Sequence, residues 1–337
     1  MKKVNVAILG ATGAVGREML KVLAERKFPI DHIKALASSR SAGLKLPFAD
    51  GEVVVEEATE RSFEGMDIVL GAASNALAKQ HAPAIVKAGA VFVDNSSAFR
   101  MADEVPLVVP EINPGDVKKH HGIISNPNCS TIITLTAVAA LNRLSPIETM
   151  VASTYQAVSG AGANGLKELE QQVADYAAGE RPIAGVFPYQ IAFNLIPQIG
   201  SDTGNGYTTE EMKMQNEGRK IMHLPDLKVT CTCVRVPVLR SHSISVTLRT
   251  ARRISVEEAR EAIAVAPGCR LVDDLENKIY PMPLDTSDQD TVFVGRIRED
   301  LTCDKGLSLW CCGDQIRKGA ATNAIQIAEL LLEKGEP

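Results

Sequence analysis

The stretch Gly10-Ala11-Thr12-Gly13-Ala14-Val15-Gly16 decides the fold, because it stands between an apolar run, Val4–Leu9, and a helical pattern, Ala14–Glu25. Glycines between a strand and a helix let a pyrophosphate approach the backbone and the unpaired N–H groups of the helix N-terminus. A tight structural turn is the alternative. We interpret the stretch as a variant dinucleotide fingerprint whose cofactor contacts are Gly10, Thr12, Gly13, Ala14 and Val15.

Short apolar runs continue to alternate with helical patterns up to about residue 128. Strands are predicted at Ile33–Ala37, Ile68–Leu70, Val91–Val93 and Ile123–Ser125, and a helix at Asn75–Lys87. This alternation is typical of a doubly wound parallel sheet with helices on both faces. We therefore predict an α/β fold whose residues 1–128 form a Rossmann-like dinucleotide-binding domain.

Strand-rich sequence with inserted helices predicts a second, α+β domain at residues 129–318, for catalysis and dimerisation. Its expected helices are Ser130–Asn142, Gly165–Ala178, Thr208–Met222 and Val256–Val265, and its expected strands are Thr149–Gln156, Val229–Val236, Ser243–Thr250, Thr291–Arg298 and Leu307–Cys312. Residues 179–207 are expected to form an irregular cover segment. Thr208 followed three residues later by Glu211 predicts a capping box at the start of the next helix. A last helix, Gly319–Glu333, is expected to return to the first domain, which residues 319–337 would complete.

The composition is that of an ordinary globular protein and argues against several classes of partner. The 337 residues carry a net charge of −5 without a long basic block, so nucleic-acid binding is not expected. No segment approaches the roughly 20 apolar residues of a membrane span. Met1-Lys2-Lys3-Val4 does not begin a signal peptide. We expect a cytoplasmic protein without membrane attachment.

The residues after the second predicted strand indicate which dinucleotide is bound. NAD-binding sites usually place an acid there to hold the ribose 2′-hydroxyl, but this chain has Ser38-Ser39-Arg40-Ser41. A guanidinium and hydroxyls suit a 2′-phosphate, so Ser39, Arg40 and Ser41 predict NADP(H) as the cofactor. Arg40 could instead be an ordinary surface residue.

The segment Asn126-Pro127-Asn128-Cys129-Ser130-Thr131 places a cysteine between a predicted strand and an apolar helix. The positive end of the helix dipole favours the thiolate, which is the attacking form of cysteine. Cys129 is therefore the predicted nucleophile.

The other cysteines lack this setting. The total of seven, irregularly spaced, argues against a disulfide framework. Cys231 and Cys233 alternate in a strand and Cys311 and Cys312 end another, so we expect them to pack as small hydrophobes. Cys231, Cys233 and His223 do not have a usual zinc spacing, and no metal site is predicted.

Seven ordered motifs resemble those of bacterial aspartate-semialdehyde dehydrogenases over essentially the whole chain. They are Gly10–Gly16, Asp94–Arg100, Val109–Asn113, Asn126–Thr131, Thr154–Gly162, Glu210–Met214 and Arg235–His242. The resemblance implies NADPH-dependent reductive dephosphorylation of L-aspartyl-4-phosphate to L-aspartate 4-semialdehyde, reversible with inorganic phosphate. The pathway would be lysine, threonine, methionine, isoleucine and diaminopimelate biosynthesis. A thioacyl intermediate on Cys129 and a homodimer are also implied.

The resemblance further implies roles for individual residues. His242 matches the acid–base residue, and an imidazole near its own pKa can exchange a proton at neutral pH. Gln156 matches a residue that orients the substrate near the thioester. Arg235 matches the guanidinium that binds the substrate carboxylate. Glu210 would face the substrate amino group.

Phosphate and nicotinamide positions complete the implied site. Arg100 and Lys213 match positions that hold phosphate, with Asn128 assisting them. Ser159 and Gly160 match positions near the nicotinamide half of the cofactor. Gln315 is assigned to the cofactor site as well, although the family usually carries Asn there.

Two alternatives remain. N-acetylglutamyl-phosphate reductase and glyceraldehyde-phosphate dehydrogenase also combine a Rossmann domain with a catalytic cysteine and a histidine. The Asn-Pro-Asn-Cys-Ser-Thr context and the set Glu210, Lys213 and Arg235 argue against them. A non-catalytic NADP-binding paralogue would be expected to lose a member of the catalytic set, whose members are all present.

Overall fold

The computed structural model describes residues 3–333, which divide into two compact units. The first unit contains the chain up to Asn128 and from Ala320 onward, and the second is Cys129–Gly319. Residues 1, 2 and 334–337, which the sequence assigned to the first domain, lie outside the described range. Within residues 3–333, no helix combines the length and the apolar character that a bilayer crossing requires.

The strands and helices of residues 3–333 follow the chain in this order. The strands are β1 (Val4–Leu9), β2 (Ile30–Ala37), β3 (Lys45–Phe48), β4 (Gly51–Glu57), β5 (Ile68–Gly71), β6 (Val91–Asp94), β7 (Ile123–Ser125), β8 (Ile147–Gln156), β9 (Lys228–Arg235), β10 (His242–Thr250), β11 (Cys269–Leu271), β12 (Val292–Glu299) and β13 (Gly306–Gly313). The helices are α1 (Ala14–Glu25), α2 (Asn75–Lys87), α3 (Cys129–Leu144), α4 (Ala163–Ala177), α5 (Thr209–Met222), α6 (Val256–Ala264), α7 (Pro283–Thr286) and α8 (Thr322–Glu333).

The first unit is built on a seven-stranded sheet of described residues in the order β3-β4-β2-β1-β5-β6-β7. Its neighbouring strands run parallel, except that β3 and β4 form an antiparallel pair at one edge. Alternate residues of β1 enter different cores. Val6 and Ile8 pack with α1 and α8, whereas Ala7 and Leu9 pack with α2. The prediction of a doubly wound sheet covered on both faces is therefore confirmed.

The second unit contains a mixed six-stranded sheet in the order β11-β12-β13-β10-β8-β9. The pairs β8–β9 and β11–β12 are parallel, and the other pairs are antiparallel. Helix α3 contacts β8, β10, β12 and β13 on this sheet and also contacts α5 and α6. Every residue from Ser130 to Leu141 is buried, which fixes the axis of the helix that begins at Cys129.

The cover segment between α4 and α5 has neither helix nor named strand, as predicted for residues 179–207. Two side chains of α4 hold it. Gln172 accepts hydrogen bonds from the N–H groups of Ile191 and Ala192, both at 2.9 Å. The Glu168 carboxylate accepts from the N–H groups of residues 185, 186 and 187. Side-chain acceptors therefore hold residues 185–192, and Ile196 is held by two backbone hydrogen bonds with Arg235.

Several elements differ from the sequence prediction. The β3–β4 pair, β11 and α7 were not predicted. β11 and α7 have only three and four residues, and β3 is an edge strand interrupted by Pro47. The last helix begins at Thr322 instead of Gly319, since Arg317–Ala321 forms a π-helical turn. The predicted capping box is confirmed: Thr208 N–H donates to the Glu211 carboxylate at 2.7 Å, and Glu211 N–H donates back to Thr208 Oγ1.

Candidate active site

The turn between β1 and α1 requires glycine at two positions. Gly10 has φ +89, and a Cβ there would lie 2.5 Å from the carbonyl oxygen of Ala72. A Cβ on Gly16 would lie 2.3 Å from the carbonyl oxygen of Gly10. Gly13 is exposed and forms the N-cap of α1, whose N-terminus has no side-chain cap. The tight glycine turn leaves room for a ligand close to the backbone, and the uncapped N–H groups of α1 can donate to it. Both features suit a pyrophosphate.

The end of β2 carries the residues predicted to select the dinucleotide. Ser39–Ser41 form a single 3-10 turn directly after the strand, and Arg40 is exposed within it. The side chains are accessible, and the turn offers a cation and two hydroxyls but no carboxylate. This composition suits a ribose 2′-phosphate better than a free 2′-hydroxyl.

Cys129 is the first residue of α3, so its thiol lies at the positive end of the helix dipole. The side chain is partly exposed, and Sγ lies 3.5 Å from Nε2 of His242. Gly319 leaves room for the cysteine, because a Cβ at residue 319 would lie 2.9 Å from Cys129 Cβ. The cysteine is thus accessible, faces a helix N-terminus and contacts an imidazole.

The strand cysteines differ from Cys129 in burial. Cys231, Cys233, Cys311 and Cys312 are all buried, which confirms the prediction that they pack as small apolar residues. Burial raises the pKa of Cys312 to about 11 and raises that of Cys311 well above its ordinary value. These two thiols remain protonated at neutral pH and are poor nucleophiles.

His242 is fully buried at the start of β10. Its Nδ1 accepts a hydrogen bond from the N–H of Ala157 at 3.1 Å, so the proton of the neutral ring lies on Nε2. The pKa of His242 is lowered to about 3. Burial is the largest cause, and the positive charge of Arg235 adds to it, whereas the negative charge of Glu210 raises the pKa in part. The expectation of an imidazole near its own pKa is therefore wrong for this structure. The ring is neutral and presents an N–H group to the sulfur.

Gln156, the last residue of β8, is buried beside the histidine. Its Oε1 accepts from the hydroxyl of Thr154 at 3.0 Å, which orients the amide so that Nε2 donates to Glu210 at 3.4 Å. Nε2 also lies 3.4 Å from Nε2 of His242. Because both of these atoms carry protons in the tautomer described above, that approach is a contact between two donors. A carbonyl oxygen placed between them would accept from both.

Arg235 ends β9 and is 7% exposed. Its Nη1 donates to the carbonyl oxygen of Ala157 at 2.6 Å, and its guanidinium lies 5.8 Å from the ring centre of Phe187. Burial lowers the pKa of Arg235, whereas Cys129 and Glu210 raise it, and the guanidinium stays charged at neutral pH. A Cβ on Gly160 would lie 2.8 Å from Nη1 and 3.2 Å from His242 Cε1, so a side chain there would displace both groups.

Glu210 and Lys213 lie three residues apart on one face of α5. Lys213 Nζ lies 2.7 Å from Glu210 Oε2, with the lysine side chain 28% exposed and the glutamate 10%. The other oxygen of Glu210 receives the amide of Gln156. A carboxylate and an ammonium group therefore lie next to the Gln156 amide, where they can bind charged groups of a small molecule.

Arg100 and Asn128 belong to the first unit. Arg100 is 7% exposed and donates to two backbone carbonyls, from Nε to Asn126 at 2.9 Å and from Nη2 to Asn95 at 2.7 Å. Asn128 is also 7% exposed and directly precedes α3. Backbone bonds fix the plane of the Arg100 guanidinium.

Ser159 and Gln315 lie close together in the second unit. Ser159 belongs to the 3-10 turn Val158–Ala161, and Gln315 follows β13. The Gln315 amide donates to Ser159 Oγ and accepts from the N–H of Ser241 at 2.9 Å. Both polar ends of this side chain are therefore used within the protein.

The sequence prediction missed four residues that shape this site. Thr154 orients Gln156, Ala157 fixes both His242 and Arg235 through its backbone, Phe187 lies against Arg235, and Gly319 makes room for Cys129. Thr154 and Ala157 stand inside the motif Thr154–Gly162, which was the available signal. Nothing in the sequence near Phe187 indicated its contact.

Known proteins resemble this chain in both sequence and fold. Residues 5–120 match the family described as semialdehyde dehydrogenase, NAD binding domain, and residues 138–318 match semialdehyde dehydrogenase, dimerisation domain. An aspartate-semialdehyde dehydrogenase of Synechocystis sp. is 53% identical over 98% of each chain.

Two solved structures extend the comparison. Aspartate semialdehyde dehydrogenase II of Vibrio cholerae, complexed with ASA, is 42% identical with a TM-score of 0.96 over 99% of both chains. Aspartate semialdehyde dehydrogenase of Candida albicans, solved with NADP, is 25% identical with a TM-score of 0.77 over 100% of both chains.

Proposed function

The chain belongs to the aspartate-semialdehyde dehydrogenase family, and we propose that it reduces L-aspartyl-4-phosphate to L-aspartate 4-semialdehyde with NADPH, releasing inorganic phosphate. It is an oxidoreductase of amino-acid biosynthesis with an NAD(P)-binding domain. One observation carries the proposed chemistry: a partly exposed cysteine at a helix N-terminus contacts a buried imidazole N–H. A thiolate so placed can form and release an acyl group.

The first step forms a thioester on Cys129. The thiolate attacks the acyl carbon of the substrate, the carbon–oxygen bond to the phosphoryl group breaks, and phosphate leaves with the electron pair. The helix dipole and the N–H of His242 both favour the anionic sulfur. In the reverse direction, phosphate attacks the thioester and Cys129 leaves.

The second step converts the thioester to the aldehyde. NADPH, when bound, supplies the hydride that adds to the thioester carbon. The negative charge that develops on the substrate oxygen accepts hydrogen bonds from His242 Nε2 and from the Gln156 amide, which lie 3.4 Å apart. The carbon–sulfur bond then breaks, the aldehyde is released, and Cys129 is again a thiolate. His242 acts as a donor throughout this direction, consistent with its lowered pKa.

Charged groups of the site match the charged groups of the substrate. Arg235 would bind the α-carboxylate, for which a guanidinium held on Ala157 and against Phe187 is already oriented. Glu210 would bind the α-ammonium group. Lys213, Arg100 and Asn128 would hold the phosphoryl group or free phosphate.

The cofactor assignment rests on three sets of residues. The glycine turn at the N-terminus of α1 would bind the pyrophosphate through Gly10, Thr12, Gly13, Ala14 and Val15. Ser39, Arg40 and Ser41 would bind the 2′-phosphate, which selects NADP over NAD. The resemblance places Ser159 and Gly160 near the nicotinamide half and Gln315 in the cofactor site, although both ends of the Gln315 amide bond to Ser241 and Ser159 within the protein. The glycine turn and the Ser39–Ser41 turn would thus offer anion-binding groups to the pyrophosphate and to the 2′-phosphate.

We also propose a cytoplasmic homodimer formed through the second unit. Residues 138–318 match a dimerisation domain, and β8 of that unit exposes Val151 by 53% and Tyr155 by 37%. Apolar side chains on an open sheet face are typical of a surface that a second copy covers. All seven cysteines lie within residues 3–333 and are free, which suits a reducing compartment.

A spectrophotometric assay of the full-length protein tests the proposal. We expect NADPH formation from L-aspartate 4-semialdehyde that requires phosphate, is faster with NADP than with NAD, and is absent with N-acetylglutamate semialdehyde. Turnover of the acetylated aldehyde, or turnover that ignores phosphate, would contradict the proposed reaction.

A further inference from the structure

Gln315 links two segments of the second unit that both hold His242. The side chain is 3% exposed, and each end of its amide is used. Oε1 accepts from the N–H of Ser241 at 2.9 Å, and Nε2 donates to Ser159 Oγ. Ser241 directly precedes the histidine, while Ser159 lies in the turn that begins just after Ala157.

The Ser241 end of this link fixes the backbone entry to His242. Ser241 is fully buried and has φ +73, a left-handed conformation that a serine adopts only when its surroundings impose it. Arg240, which precedes Ser241, is held by Asp314, which precedes Gln315. Arg240 Nε lies 2.5 Å from the Asp314 carboxylate. Residues 314 and 315 therefore hold residues 240 and 241 in sequence.

The hydrogen bond from Gln315 to Ser159 holds the segment that determines the tautomer of His242. Ala157 N–H donates to Nδ1 of His242 at 3.1 Å and so leaves the proton on Nε2. The backbone from Ala157 continues into the turn that Gln315 holds through Ser159. One buried amide thus connects the residue before the imidazole with the strand end that orients it.

We propose that Gln315 is a positioning residue for His242, and that it keeps the Nε2–H group directed at the sulfur of Cys129. The proposal rests on the proposed function insofar as His242 acts on the substrate oxygen. The asparagine that the family usually carries at this position is one methylene shorter. An amide on that shorter arm would lie farther from Ser241 N, Ser159 Oγ or both, so we expect it to hold the two segments less tightly than Gln315 does.

The test compares Gln315→Met, which keeps the length and loses the amide, with Gln315→Asn, which shortens the arm. Ser287→Ala is the matched control, because Ser287 touches the same Ser241 but only through a hydroxyl–hydroxyl contact at 3.1 Å. Each full-length variant is measured for kcat, for the NADP Kd, for melting temperature, and for the rate at which iodoacetamide alkylates Cys129 as a function of pH.

We expect Gln315→Met to lower kcat at saturating NADP by about tenfold or more while the NADP Kd changes by less than about threefold. The midpoint pH of Cys129 alkylation should rise by about half a unit or more, since a misdirected N–H no longer stabilises the thiolate. Gln315→Asn should show the same pattern to a smaller degree. Ser287→Ala should match the wild type in all four measurements.

A double mutant identifies the path of the effect. If Gln315 acts through the imidazole, adding Gln315→Met to His242→Ala should leave the alkylation profile of the single histidine variant unchanged. The groups facing the ring in the wild type are Cys129 from α3, Arg235 from β9 and Glu210 from α5. His242→Ala and the double mutant both keep these three groups, so the electrostatic effect of the three groups is the same in the two proteins that are compared.

Three results would overturn the proposal. One is a weakening of NADP binding by about tenfold with kcat and alkylation unchanged, which would make Gln315 a cofactor ligand. The second is that Gln315→Met changes the alkylation profile of His242→Ala as much as it changes that of the wild type. The third is that Gln315→Met behaves like the wild type in all four measurements. If Gln315→Met does not fold, Gln315→Asn decides by the same measurements. A wild type that fails to turn over the aldehyde contradicts the proposed function, whereas the alkylation profiles still decide this inference.

Discussion

Cys129 Sγ lies 3.5 Å from His242 Nε2, on the side of the ring that carries the proton. The other nitrogen accepts the N–H of Ala157, so the imidazole reaches the sulfur as a hydrogen-bond donor. A donor stabilises a thiolate and, later in the reaction, a substrate oxyanion. The pair therefore supports acyl transfer without a proton leaving the resting imidazole.

The buried state of His242 predicts how stability depends on pH. Its folded pKa of about 3 lies below the ordinary value of 6.5, so below pH 6.5 the unfolded chain takes up a proton that the native state does not. This contribution to stability is complete above pH 6.5 and is lost as the pH falls from 6.5 toward 3, at about 1.4 kcal/mol per unit. Urea unfolding at several pH values measures it.

His242→Asn provides the comparison for that prediction, because asparagine is neutral at every pH. When the pH falls from about 7.5 to 5, the wild type should lose about 2 kcal/mol more unfolding free energy than His242→Asn loses. A difference that stays constant over this interval would show that the folded imidazole titrates normally.

Replacing Arg235 by leucine should damage substrate use selectively. Loss of a charge-assisted contact to a carboxylate predicts a fall of about 100-fold in kcat/KM for the aldehyde, with the KM for NADP changed by less than about threefold. Arg270→Leu is the control, because Arg270 also lies over an aromatic ring, at 5.6 Å from Phe293, but is exposed in β11. Equal damage to aldehyde and NADP kinetics by Arg235→Leu would point to a structural role.

The hydrogen bonds of Gln172 predict a stability effect in the cover segment. Gln172→Leu leaves the N–H groups of Ile191 and Ala192 buried without an acceptor, which should cost about 2–4 kcal/mol in urea unfolding. It should also speed hydrogen exchange of these two N–H groups. Gln171→Leu, at the neighbouring exposed position, should change stability by less than about 0.5 kcal/mol. Equal stability of the two variants would show that the segment is held by other contacts.

Sequence patterns predicted the elements whose signal is local. The glycine turn, the helix that begins beside Cys129 and the capping box at Thr208 each depend on residues within one turn of chain. The edge pair β3–β4 escaped prediction because Pro47 interrupts the four-residue β3 and acidic residues stand on both sides of the apolar run in β4.

Burial by segments distant in the chain explains the other differences between the sequence predictions and the structure. The sequence suggested that His242 titrates near neutrality, but its pKa depends on burial by segments distant in the chain and on the charge of Arg235. The contact of Phe187 with Arg235 likewise joins the cover segment to β9. Such properties arise only from tertiary packing, which has no local pattern.

Arg40 should determine the preference between the two dinucleotides. Arg40→Ala removes the exposed cation of the turn after β2 and should raise the KM for NADP by about 10- to 100-fold while leaving the KM for NAD nearly unchanged. Arg61→Ala, at an exposed arginine of the same unit, is the control and should change neither constant. Equal increases for both dinucleotides in Arg40→Ala would exclude a role in recognising the 2′-phosphate.

The central claim is that Cys129 carries the acyl group, and mass spectrometry of the trapped intermediate tests it most directly. The full-length enzyme is mixed with L-aspartate 4-semialdehyde and NADP without phosphate, quenched in acid and digested. We predict an aspartyl adduct on the Cys129 peptide that disappears when phosphate is added before the quench. It should be absent in Cys129→Ala. It should be present in Cys303→Ala, the control, because Cys303 is also a partly exposed free cysteine but lies outside the predicted site. NADPH formation without an acyl adduct on Cys129, or with the adduct on another residue, would contradict the account.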